Sequence, residues 1–144
     1  MAEFVFQTYK TLMDALGGKY THWATRDTPV YPLVVTLEEW FAFGDRLIAA
    51  LDAAVLRKLE EEDIDSAILQ IHPYTVCAVE DFEIAIQIMA TIGIDPFMRK
   101  KTTGECRLWS MHPFITGVFA TESRQVAREL FPDDWQRIHP LLRN

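Results

Sequence analysis

The sequence predicts an α+β fold, predominantly helical, with about five helices around one long central helix and a small antiparallel β-hairpin or three-stranded sheet in the C-terminal third. Three observations carry that expectation. Between Thr36 and about Glu62, Leu37, Phe41, Gly44, Ile48, Leu51, Val55 and Leu59 recur at intervals of three and four, with Asp45, Arg46, Asp52, Arg57 and Lys58 on the opposite face. Between Phe97 and Met111, Cys106, Leu108 and Ser110 alternate with Arg107, Trp109 and Met111 after the turn-like Thr102-Thr103-Gly104-Glu105, which reads as two strands and a turn. A chain of 144 residues is one domain by length, 1–144, and buries enough surface to fold without disulfides or metal.

The elements follow in order. Phe4 to Leu16 reads as an amphipathic helix with Phe4, Thr8, Leu12 and Leu16 on one side and Val5, Tyr9 and Met13 beside them, ended by Gly17-Gly18 and docked on the long helix. Lys19 to Pro32 shows no period of either kind, and its Tyr20, His22, Trp23, Arg26 and Tyr31 are residue types that anchor interfaces or fold back over a core. Leu33-Val34-Val35 is a short strand, with Pro32 holding it to an edge or a strand start. The long helix begins at Thr36, where a threonine followed three residues later by Glu39 makes a capping box.

Asp63 or Asp65 then caps a shorter helix with Ile64, Ile68 and Ile71 inward, stopped at His72 by Pro73; a strand over Ala67 to Ile71 is the alternative. Thr75 or Val79 starts a helix to about Ile92 that turns Phe82, Ala85, Ile86, Met89 and Ile92 inward, carries acids in its first turn and ends at Gly93. Asp95-Pro96 is a break. Phe114 to Ala120 adds a third strand, Thr121 caps a helix over Glu122 to Phe131, and Pro132 opens a last one with Trp135, Ile138 and Leu141 inward.

Charge is unevenly spread. Net charge is −7, yet through Asp95 there are 16 acidic residues against 6 basic, and from Pro96 onward 5 against 8. Glu60, Glu61, Glu62, Asp63, Asp65, Glu80, Asp81 and Glu83 fall in a stretch that holds no Lys or Arg. Such a field disfavours direct binding to nucleic acid and favours a basic protein surface; the alternative is a solvated face that keeps the chain in solution. Arg99, Lys100, Lys101, Arg107 and Trp109 form a small basic and aromatic arm that either stays solvated or meets the acidic half of a second copy in a homo-oligomer. The longest apolar run, Ile84 to Ile94, is too short to span a bilayer, and the N-terminus has no basic-then-apolar signal design, so a cytoplasmic chain with reduced thiols and no membrane contact is expected.

Catalytic motifs are missing. No serine elbow, phosphate-cradling glycine loop or dinucleotide fingerprint occurs. Weak metal candidates are His72 with Cys77 and Cys106 with His112, whose spacing is not that of the strong zinc patterns; the cysteines read as small core residues, and no metal or cofactor is expected. Cys77, His112 or His72, and Asp81 are the residue types of a cysteine nucleophile, base and orienting group. His-Pro at 72, 112 and 139 marks ends of elements. The expectation is a non-enzymatic acidic interaction protein of inhibitor, immunity, phage anti-defence or adaptor type. It would meet a protein with a basic surface, of the kind that nucleic-acid-binding proteins carry, through Tyr20, Trp23, Tyr31, Glu60, Glu61, Glu62, Asp63, Asp65, Glu80, Asp81 and Glu83. A small metal-dependent enzyme using the His/Cys cluster is the alternative.

Overall fold

A computed structural model describes residues 1–20, 29–38 and 44–126. It is predominantly helical with one small sheet. Helix α1 spans Ala2–Leu16, strand β1 Leu33–Thr36, helix α2 Asp45–Glu61, helix α3 Ile68–Ile71 and strand β2 Thr75–Ala78. Helices α4 (Val79–Ile92) and α5 (Ile94–Thr102), a 3-10 turn (Gly104–Leu108), and helices α6 (Met111–Val118) and α7 (Ala120–Ser123) follow.

β1 and β2 pair in parallel, Val34 opposite Val76 and Val35 opposite Cys77, so the chain must return through α2 and α3 between them. Alternation along each strand then divides the core in two. Val34 and Val76 join Val5, Phe6, Tyr9 and Leu12 of α1 and Val55 and Leu59 of α2 in one cluster. Cys77 joins Ala85, Ile88, Phe97, Met98, Met111, Phe114 and Ile115 in the other, with Leu33 packed against it. The sheet is thus covered by helices on both faces, which suits apolar strands of this kind.

Several expectations change. The continuous helix from Thr36 is not formed: Thr36 ends β1, its hydroxyl donating to the carbonyls of Glu38 at 2.6 Å and Cys77 at 3.2 Å. Gly44, with φ of +99°, then caps a shorter α2. The stripe is real only downstream, where Ile48, Val55 and Leu59 are buried; Leu37 is 88% exposed, and Phe41 lies outside the described residues. In α1 the buried face is Val5, Phe6, Tyr9, Leu12 and Ala15, one position round from the expected one, which leaves Phe4 exposed. Asp65 does stabilise the start of α3, accepting from the Ala67 amide at 2.9 Å, but Ile71 faces out. Val79 opens α4 as one of the two readings had it, while Thr75 opens a strand; Ile86 is exposed and Ile88 takes its inward place.

The antiparallel hairpin and third strand are absent. Phe97, Met98, Lys101 and Thr102 are buried at a helical spacing in α5, and Pro96 sits in its first turn, where an amide would have no partner within the helix. Gly93 makes the corner before α5 with φ of +95°. Met111, Phe114 and Ile115 face inward at a spacing of three and four, so α6 replaces the third strand. The Gly117 α-carbon lies so near Trp109 that a β-carbon would come within 3.3 Å of its ring. The second half of the helix expected over Glu122 to Phe131, and the last one with Trp135, Ile138 and Leu141, lie outside the described residues. Among the described residues no helix is long and apolar enough to cross a membrane.

Candidate functional site

The acidic stretch is continuous in sequence and divided in space. Because α2 returns from the carboxyl edge of the sheet to its amino edge, Glu60, Glu61, Glu62, Asp63 and Asp65 gather at the amino edge. Glu80, Asp81 and Glu83 follow β2 directly and sit at the carboxyl edge. Ion pairs Glu3 to Lys58 at 2.6 Å and Lys10 to Glu62 at 3.2 Å show that α1 and α2 advance in the same direction, so both helices end on the amino edge.

The two groups of acids have different physical standing. Glu80 and Asp81 occupy the first turn of α4, where the positive end of the helix dipole favours carboxylates. Glu60 and Glu61 occupy the last turn of α2, where the dipole opposes them. Glu60, Glu61 and Asp63 are exposed and form no ion pair among the described residues, and Asp63 is held at φ of +56°. Helix stability accounts for the first group and not for the second.

Of the aromatic anchors, Tyr20 is exposed, and Trp23 lies outside the described residues with His22 and Arg26. Tyr31 is half-buried, packs against the second core cluster and donates its hydroxyl to the Asp95 carboxylate. Burial and then Asp95 raise the Tyr31 phenol above its ordinary range, while Tyr31 and then Arg99 lower Asp95. Tyr31 is therefore a core-side tether between the segment before β1 and α5.

The basic arm is divided between the fold and the surface. Arg99 pairs with Asp95 at 3.2 Å. Arg107 reaches both oxygens of Asp52 through one nitrogen, at 2.7 and 2.8 Å. Lys101 is only 1% exposed, donates to the Cys106 carbonyl at 3.2 Å and lies 5.8 Å from the centre of the Phe114 ring. Burial lowers the Lys101 ammonium to about 8, Arg107 acting in the same sense and Cys106 against it. Only Lys100 of the three consecutive cations remains exposed without an assigned bond.

Asp52, expected on a solvent face, instead links three elements. It accepts from Arg107 and from the Tyr74 hydroxyl at 2.8 Å; the guanidinium lies over the Tyr74 ring, and Tyr74 meets Tyr9 edge to face. Burial, followed by Asp52, raises both tyrosine phenols. A double-mutant cycle with Asp52→Asn and Arg107→Gln should give a coupling of about 1 kcal/mol by urea unfolding, since both side chains are partly screened by water. Additive losses would mean that the contact contributes nothing as a pair. No spacing rule could have signalled it, because the partners lie 55 residues apart.

The four metal candidates do not converge. His72 Nδ1 lies 3.1 Å from the Val30 carbonyl, and its own carbonyl accepts from Tyr9 at 2.7 Å. Cys77 and Cys106 are free thiols packed in or against the second core cluster, and among the described residues no group of three or more His, Cys, Asp or Glu side chains is placed to hold a metal ion. Burial, then Asp81, pushes the Cys77 thiol up to about 12, the reverse of what a thiolate nucleophile needs. His112 begins α6 instead of ending an element, and its Nδ1 lies 3.3 Å from Asp81 Oδ1. Two of the three residue types of the cysteine constellation thus meet, with the thiol unavailable. Comparison of the chain with protein-family models, curated proteins and solved structures finds no match.

Proposed function

We propose that this chain is an acidic interaction protein that covers a basic surface of a partner protein, in the manner of an inhibitor, immunity, anti-defence or adaptor protein. The observation that carries the reading is the placing of Glu60, Glu61 and Asp63: exposed, without ion pairs among the described residues, and at a helix end whose dipole opposes them. The carboxyl ends of α1 and α2 add their partial negative charge on the same edge, which strengthens the field seen by a cationic partner. Burial of Lys101 and the pairing of Arg107 with Asp52 leave Arg99 and Lys100 as the exposed cations of the arm, which favours a protein partner over direct contact with nucleic acid.

The test is a chain carrying Glu60→Lys, Glu61→Lys and Asp63→Asn; asparagine is chosen because it tolerates the positive φ at that position. Stability should hold or rise by about 0.5 kcal/mol, because lysine suits the end of a helix. Capture from native lysate at low salt, with stepwise salt elution, should retain a basic protein on the wild-type chain and lose it on the variant. The same protein bound equally by both would refute the reading.

A further inference from the structure

The Asp81–His112 pair is not needed for docking at the opposite edge of the sheet, and its geometry has a chemistry of its own. Asp81 follows β2 in the first turn of α4, and its side chain is 11% exposed; His112 opens α6, and its side chain is 63% exposed. The carboxylate approaches Nδ1 at 3.3 Å. A neutral imidazole carries one proton, and a carboxylate beside Nδ1 favours placing it there, which leaves the lone pair on Nε2 of an accessible ring. Base and orienting group often stand slightly apart until a substrate arrives.

We propose that Asp81 and His112 form a general-base site at the carboxyl edge of the strand pair, with His112 Nε2 the proton acceptor and Asp81 its positioning residue. The carboxyl ends of parallel strands are where α/β arrangements leave room for ligands. The attacking group comes from outside the protein, because Cys77 is buried and held protonated. The surroundings select the substrate class. Glu80 and Glu83 repel anions, and Leu37, following β1 at the same edge, offers an exposed apolar side chain. A neutral acyl ester fits that description. Water attacks the acyl carbon and passes its proton to Nε2; the carbon–oxygen bond to the leaving alcohol breaks, the electron pair departs with that oxygen, and the imidazolium returns its proton to the medium.

The experiment uses the full chain with p-nitrophenyl acetate as probe, together with nitrogen-15 NMR of the imidazole rings. Cleavage by wild-type protein should fall about tenfold in His112→Gln and stay unchanged in His72→Gln, whose ring is partly buried and held at the Val30 carbonyl. His112 should carry its proton on Nδ1 in the wild type and lose that preference in Asp81→Asn, with Asp81→Glu restoring it in part. Equal cleavage by wild type and His112→Gln, or a wild-type ring protonated on Nε2, would overturn the proposal. Because neither readout involves a partner protein, failure here leaves the docking reading standing, and the reverse holds too.

Discussion

Lys101→Met should change the pH dependence of stability markedly between pH 7 and pH 10. The Lys101 ammonium titrates at about 8 in the folded chain and near 10.4 when unfolded, so between those values the unfolded state binds more protons. Its destabilising effect is fully present below pH 8 and is relieved as pH rises through that window. From pH 7 to pH 10 the wild type should therefore gain about 2 kcal/mol relative to Lys101→Met, as read from urea midpoints with unchanged m. At pH 7 the variant should be nearly as stable or more so, because it sheds a buried charge while leaving the Cys106 carbonyl without that donor.

The comparison has to be with the variant and not with wild type alone. Cys77, held up to about 12, and Tyr9 and Tyr74, also raised, keep their protons in the fold after the unfolded chain has lost them, so their stabilisation falls above about pH 9. The tyrosine losses are common to both chains and cancel in the difference, while the Cys77 loss differs only by the small downward pull of Lys101 on the thiol. A difference that does not move between pH 7 and pH 10 would show that water reaches the ammonium in the native state.

Phe114→Ala should cost about 4 kcal/mol, a large share of the stability of any domain of this size. Phe114 is fully buried and meets Phe97 and Phe119 edge to face at 5.2 and 5.5 Å between ring centres, while Phe97 and Phe119 stack at 5.1 Å. Truncation removes two ring contacts, opens a cavity between α5 and α6, and strips the face over which Lys101 lies. Phe114→Leu keeps much of the volume and should cost about 1.5 kcal/mol. If alanine proved no worse than leucine, α6 would not be packed on α5 as described.

Local chemistry in the sequence was sufficient for α1, α2 downstream of Gly44, the Asp65 turn, the extended Leu33-Val34-Val35 and the helix from Val79 to Gly93. Each is written in a period, a cap or a glycine within a few residues. The run of acids from Glu60 to Glu83 was likewise legible in the sequence, though not its division between two edges. The region after Asp95 was misread because six alternating residues and a Thr-Gly turn satisfy strand and helix patterns alike over so short a span. A helical reading of Phe97, Met98, Lys101 and Thr102 would have put Lys101 on the apolar side, the one signal available for its burial.

Tertiary structure alone decided the rest. The parallel pairing of β1 with β2 depends on which strand finds a partner 42 residues away, and no local propensity encodes that choice. That pairing divides the acidic stretch between two edges, leaves Glu60, Glu61 and Asp63 exposed, and sets Asp81 beside His112. It also gathers Asp52, Tyr74 and Arg107. Composition determines how much charge the chain carries, whereas long-range packing determines which charges are paired within the fold and which stay exposed without an ion pair among the described residues.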